Sequence, residues 1–230
     1  MKTNLKILYE DNHLLAINKP SGMLVQGDKT NDECILDFAK AYIKEKYNKP
    51  GEVFIGLPHR LDRPTSGVVI LARTSKALER LNKMFHDKLA KKTYWAVVGA
   101  NPPQVEDTLI HYMTKSEEKN RSYAHKKPKK GGDYAELSYK LVGKSKMFNL
   151  LEVKPATGRH HQIRVQLSAI GCPIKGDIKY GFKRSNVDKS IHLHAYVLEI
   201  FHPITKEPLK IIAPPPNEVV WNVFKEVELS

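Results

Sequence analysis

The sequence predicts an α+β fold, a single domain with a mixed, largely antiparallel sheet flanked by helices and loops. Three observations point there. Residues 134–142 and 147–153 are bulky and alternating, as half-buried strands are. Two segments, 31–47 and 74–88, place apolar residues three and four apart, as amphipathic helices do. Strands and helices also follow one another without the regular alternation of a doubly wound parallel sheet. The 230 residues, 41% of them hydrophobic, suffice for a substantial core.

The elements follow in order. Ile7-Leu8-Tyr9-Glu10 and Leu14-Leu15-Ala16-Ile17 flank Asp11-Asn12-His13, which predicts two short strands around a turn. Lys19-Pro20-Ser21-Gly22 then fixes a loop. In the first helix Ile35, Phe38, Ala39, Tyr42 and Ile43 share a face, with Asn31 or Asp32 near the cap. In the second, Ala77, Leu78, Leu81, Phe85 and Leu89 do so, with Thr74 or Ser75 as the cap. Val68 to Ala72 and Tyr94 to Val98 read as strands, as does 192–201. A short helix after Gly158-Arg159 stops near Gly171, and Pro214-Pro215-Pro216 introduces a terminal helix over 217–227. Residues 115–132, with Arg121 and Lys126-Lys127-Pro128-Lys129-Lys130, read as an exposed basic loop between hairpin strands, open to RNA contact or simply solvated. No repeat or linker divides the chain, so residues 1–230 are read as one domain.

The formal net charge of +13 calls for a polyanionic partner, nucleic acid first. No apolar run approaches the roughly 20 residues that span a membrane, and Met1-Lys2-Thr3-Asn4-Leu5-Lys6 lacks the apolar core of a secretory signal. Cys34 and Cys172 are far apart, which fits a reducing compartment better than a disulfide framework. The expectation is a cytoplasmic protein. His59, His160, His161, His192, His194 and His202 form no compact ligand pattern, and neither cysteine has a partner at zinc spacing, so no metal site is expected.

Chemistry concentrates in His59-Arg60-Leu61-Asp62-Arg63-Pro64-Thr65-Ser66-Gly67. Arg60 and Arg63 flank Asp62 and favour its charged form, so it suits attack on carbon or proton abstraction. An Asp that merely stabilises a turn beside arginines is the ordinary alternative. Position alone makes Tyr94 a core aromatic, Arg164 a surface charge on an amphipathic helix, and Lys19 and Arg159 phosphate contacts or solvated cations.

The Asp62 segment resembles the signature of the RluA family of pseudouridine synthases. Asn18-Lys19-Pro20-Ser21-Gly22, Lys92-Thr93-Tyr94-Trp95-Ala96 and Thr157-Gly158-Arg159-His160-His161-Gln162-Ile163-Arg164 resemble three further family segments, in the same order. Gly176-Asp177, Tyr180-Gly181 and Leu193-His194-Ala195 also fit, so the likeness runs from about Ile7 to Pro215. Many family members carry an S4-type RNA-binding domain, for which the residues before Ile7 leave no room. Gln166 stands where many relatives have His.

The resemblance implies isomerisation of uridine to pseudouridine in ribosomal or transfer RNA, on a base taken out of its stack. Asp62 would act at the ribose, attacking C1′ or taking a proton from C2′. Tyr94 would stack on the uracil, and Arg164 would pair with Asp62. Arg60, Arg63, Lys19, Arg159, His161 and Gln162 are the expected RNA contacts. No cofactor is implied, because nothing is oxidised and no group is imported. A monomer is the default. Two rivals remain at this point. A glycosidic-bond hydrolase would use a second carboxylate, for which Asp177 is the only other acid in a matched motif. A non-catalytic RNA-binding or ribosome-assembly module would have the charge but no use for Asp62, Tyr94 and Arg164 together.

Overall fold

Lys19, Asp62 and Gly67 are brought together by the pairing of two strands, and the rest of the fold serves to hold such pairings in place. The structure is a computed structural model, and it describes residues 5–28 and 32–226. Strands β1 (Lys6–Glu10) and β2 (Leu14–Lys19) are followed by α1 (Ile35–Lys46), β3 (Ser66–Ala72) and α2 (Ser75–His86). Five strands come next: β4 (Lys91–Val98), β5 (Glu106–Ser116), β6 (Arg121–His125), β7 (Asp133–Lys144) and β8 (Asn149–Pro155). Helix α3 (Gln162–Ala169), a 3-10 turn (Ile178–Tyr180), β9 (Leu193–Phe201), β10 (Pro208–Ile212) and α4 (Val219–Asn222) complete the described residues. This is the expected α+β class.

The chain forms two compact units, one of Met1–Lys91 with Ala195–Pro215, the other of Lys92–His194 with Pro216–Ser230. In the first, β1, β2 and β3 make an antiparallel meander in which Leu14 faces Ala72 and Lys19 faces Gly67. All seven residues of β3 and the run Leu14–Ile17 of β2 are buried, as strands covered on both faces must be. Each Leu or Ile so buried contributes about 1.5–3 kcal/mol. Gly67 has φ +116, and a Cβ there would lie 2.3 Å from the Ala195 carbonyl oxygen, so only glycine fits this approach. Helix α2 starts as expected, Thr74 accepting a hydrogen bond from the Ala77 N–H at 3.2 Å. Helix α1 does not. Its cap is Cys34, whose N–H donates to the Asp37 carboxylate, whereas Asp32 pairs with Arg63 and Asn31 lies outside the described residues.

In the second unit β4, β8, β7, β5 and β6 lie side by side, each antiparallel to the next. Leu109, Leu137, Leu151 and Val153 of this sheet bury against Ile163 and Leu167 of α3. Helix α3 ends in a Schellman pair, Gly171 N–H to Ser168 and Cys172 N–H to Leu167, with Gly171 at φ +80 as the stop that its position in the sequence predicts.

Three expectations change. The basic segment 115–132 is not one loop, because it contains the end of β5 and all of β6. Strand β6 reads as loop in the sequence because only Ser122 of its five residues is buried. The helix over 217–227 shrinks to the single turn of α4, held by Trp221 and by Glu218 capping the Val220 and Trp221 N–H groups; Val227 lies outside the described residues. Strands β5 and β10 were not expected: β5 has charged ends that mask the inward alternation of Leu109, His111 and Met113, and β10 opens on Pro208.

Candidate active site

The first unit carries Lys19, Arg60, Asp62 and Arg63. Asp62 is half-buried between buried Leu61 and exposed Arg63, and its carbonyl accepts the Thr65 N–H at 3.0 Å, closing the turn that leads into β3. His59 anchors the other side of the segment. Its Nε2 accepts the Ile70 N–H at 3.0 Å, and its ring stacks on Phe85 at 4.7 Å. Because Lys19 faces Gly67, its side chain reaches back beneath the Asp62 turn. The Lys19 ammonium donates to the carbonyls of Pro20, Met23 and Arg63 at 2.9, 2.8 and 3.1 Å. Gly22 N–H also donates to the Arg63 carbonyl, and Arg63 Nε to the Gly22 carbonyl, so two motif loops are laced into one body.

Lys19 is fully buried, which differs from the expected phosphate contact. All three ammonium hydrogens are committed to carbonyls, and no surface is left for RNA. Burial pushes its pKa from 10.5 down to about 7, opposed by the nearby Asp62 charge. Three carbonyl acceptors match an ammonium, since a neutral amine donates only two hydrogens. Lys19→Met is therefore expected to cost about 2–4 kcal/mol at neutral pH, by taking the ammonium from the Pro20 and Met23 carbonyls and leaving the Arg63 carbonyl with the Gly22 N–H. The pH dependence has a definite sign. With a folded value below the unfolded one, the cost of charging Lys19 is present in full below about pH 7 and falls away as pH rises toward 10.5. The melting-temperature gap between wild type and Lys19→Met should widen above about pH 7, and a gap independent of pH would contradict the lowered Lys19 value.

The other candidates of this unit are exposed. Arg63 bridges the Gly22 carbonyl and Asp32 Oδ2, the latter at 2.7 Å, and Arg60 points outward.

The second unit carries Tyr94, Arg159, His161, Gln162 and Arg164. Tyr94 is half-buried on β4 opposite Val153, between buried Thr93 and Trp95. Helix α3 is not amphipathic: Gln162 through Leu167 are all buried. Arg164 is therefore no surface charge. Its Nε and Nη2 donate to Asp177 Oδ2 and Oδ1 at 2.6 and 3.0 Å, a bidentate pair with side chains 6% and 1% exposed. The guanidinium also lies 5.1 Å from the Tyr180 ring centre. Tyr180 is buried, which raises its pKa, and its hydroxyl accepts the Ser122 N–H and bonds His161 Nδ1 at 2.8 Å. His161 sits at the start of α3 with φ 54, its ring stacked on His160 at 3.7 Å.

Gln162 is an organiser. Its Oε1 accepts from Thr157 Oγ1 and the Arg159 N–H, and its Nε2 donates to the Glu136 carbonyl, which folds the Thr157-Gly158-Arg159 loop over the helix start. Arg159 is exposed and donates to the Tyr134 carbonyl. Gln166, fully buried, donates to the Leu109 carbonyl at 3.0 Å. Asp177, Tyr180 and Ser122 were missed as site residues. The first two lie in segments that fit the family pattern, but Ser122 sits in the stretch that reads as loop. A cavity of about 370 Å³ lined by Glu106, Asp107, Lys140, Glu152 and Lys154 contains none of the expected residues. No helix among the described residues is long and apolar enough to cross a membrane.

Residues 13–169 match the family described as RNA pseudouridylate synthase. The tRNA pseudouridine synthase C of Pectobacterium carotovorum subsp. carotovorum is 33% identical over 232 residues, covering 92% of this chain and 59% of the relative. The ribosomal large subunit pseudouridine synthase C of Buchnera aphidicola subsp. Baizongia pistaciae (strain Bp) is 34% identical over 220 residues, covering 92% and 67%. The chain thus spans about three-fifths to two-thirds of the length of these curated relatives. Among solved structures, human RNA Pseudouridylate Synthase Domain Containing 4 superposes with a TM-score of 0.78 at 25% identity, covering 94% of this chain and 91% of that one. On its matched motifs, its fold and these relatives, the chain belongs to the RluA family of RNA pseudouridine synthases.

Proposed function

We propose that this chain isomerises uridine to pseudouridine in ribosomal or transfer RNA, residues 1–230 acting as one catalytic domain and as a monomer in the cytoplasm. The observation that carries the reading is the construction around Asp62: a fully buried lysine, held by three carbonyls, fixes its turn and stands within reach of its charge. A merely structural turn has no need of so costly a support.

In this reading the bond from uracil N1 to C1′ breaks, the base turns, and C5 joins C1′ while the C5 proton leaves and N1 gains one. Asp62 works at the ribose, where a carboxylate serves as nucleophile at C1′ or as base at C2′. Tyr94 stacks on the uracil, and Arg164 orients Asp62. Arg60, Arg63, Arg159 and His161 contact RNA, while Lys19 and Gln162 hold the loops that present them.

Isomerisation and hydrolysis differ in product. Chromatography of nuclease digests from RNA treated with the protein should show pseudouridine appearing as uridine is lost, with no free uracil. Free uracil without pseudouridine would instead establish the hydrolase, and unchanged uridine with tight RNA binding would establish the non-catalytic module.

A further inference from the structure

Outside the candidate site, the outward face of β5, β6 and β7 is unusual in its chemistry. The register puts Tyr112 opposite Tyr134 and Thr114 opposite Tyr123 on one face. Tyr123 and Tyr134 are 39% and 40% exposed, and the rings of Tyr112 and Tyr134 meet edge-on at 6.2 Å. The Arg121 guanidinium lies 5.7 Å from the Tyr123 ring. The β6–β7 connection, with exposed Lys126, Lys127, Lys129 and Lys130, borders this face. From 119 to 136 the chain has six cations and two carboxylates. Those two carboxylates are engaged, Glu136 by the Tyr134 hydroxyl and Asp133 by Arg159. Exposed aromatic rings on a sheet with lysines beside them suit a flexible polyanion with flat bases.

The inner face of β6 fixes this surface to the Arg164 cluster. Ser122 donates its N–H to Tyr180 Oη at 2.9 Å and its hydroxyl to the His160 carbonyl at 2.9 Å. The same Tyr180 ring packs under Arg164. We propose that the outer face of β5, β6 and β7 is a platform for single-stranded RNA flanking the target uridine, with Tyr123 and Tyr134 stacking on bases and the four loop lysines taking phosphates. This rests on the pseudouridine synthase reading and adds to it the strand-state of the substrate and the surface that selects it.

The test is fluorescence anisotropy with a short fluorescein-labelled single-stranded RNA, and with the same RNA annealed to its complement, over a series of KCl concentrations. Tyr123→Ala and Tyr134→Ala should each weaken single-strand binding about tenfold or more and leave duplex binding unchanged. Tyr123→Phe, which keeps the ring, should bind like wild type and controls for folding. Changing the four lysines to glutamine should flatten the salt dependence, by about 0.7 in log–log slope for each phosphate that is no longer neutralised. Single-strand binding by Tyr123→Ala and Tyr134→Ala equal to wild type would overturn the platform, as would an unchanged salt slope in the lysine variant. A wild-type dimer that Tyr123→Ala dissociates would assign the face to self-association and would equally overturn it. Failure of the two proposals is separable. Tyrosine variants that bind and convert RNA like wild type remove the platform alone, whereas wild type that binds through the tyrosines but converts no uridine removes the catalytic reading alone.

Discussion

Asp177→Ala is expected to lower the unfolding free energy by about 3–5 kcal/mol, the range for deleting one partner of a buried ion pair. At this chain length that corresponds to a fall of roughly 10 °C in melting temperature. The reason lies in the geometry. Arg164 is 6% exposed and gives two short hydrogen bonds to a carboxylate that is itself 1% exposed, so the variant removes the two Asp177 oxygens from a cation that water hardly reaches. The double variant Arg164→Met with Asp177→Leu should recover most of that stability, because an apolar pair of similar volume removes the desolvated charges together. It should not recover activity, since Arg164 is proposed to orient Asp62. Urea denaturation of Arg164→Met, Asp177→Leu and the double variant measures the coupling directly. Additive losses would mean that the pair contributes little to the fold.

Much of the fold was legible because its signals are local. The apolar runs of β2 and β3 and the three-and-four spacing of α2 with its Thr74 cap depend on neighbouring residues only. The glycine stop after α3 was legible for the same reason. The site was legible as motifs but not as physics. Gln162, Arg164 and Gln166 are polar residues on α3, and nothing adjacent in the sequence announces that they are buried. Each is buried because its partner arrives from elsewhere: the Glu136 carbonyl, the Asp177 carboxylate and the Leu109 carbonyl. Lys19 misled in the same way. Nothing near it in sequence announces that β2 will pair with β3 and carry its ammonium under the Asp62 turn. Strand β6 was hidden because its inward residues are small, Ser122 being buried and Ala124 half-buried against the core.

The largest effect on activity is expected from Asp62→Asn, which keeps shape and removes the carboxylate. Loss of a group that forms or breaks bonds in the reaction commonly costs about a thousandfold or more. Stability should change little by comparison. Asp62 is half-buried in a turn closed by main-chain atoms, and Lys19 keeps its three carbonyls, losing only the attraction of the nearby charge. A melting shift of a few degrees is the expected limit. RNA binding should also persist, since the exposed arginines and lysines are untouched.

Tritium release from RNA labelled at uridine C5 reads this difference most directly, because the C5 proton is lost only when C5 becomes the point of attachment. The RNA is prepared from cells lacking the protein, and folded wild type is compared with Asp62→Asn. Release by wild type, with none above background from Asp62→Asn, is the expected result. Equal release by the two proteins would contradict Asp62 as the catalytic carboxylate, and no release by folded wild type would contradict isomerisation itself.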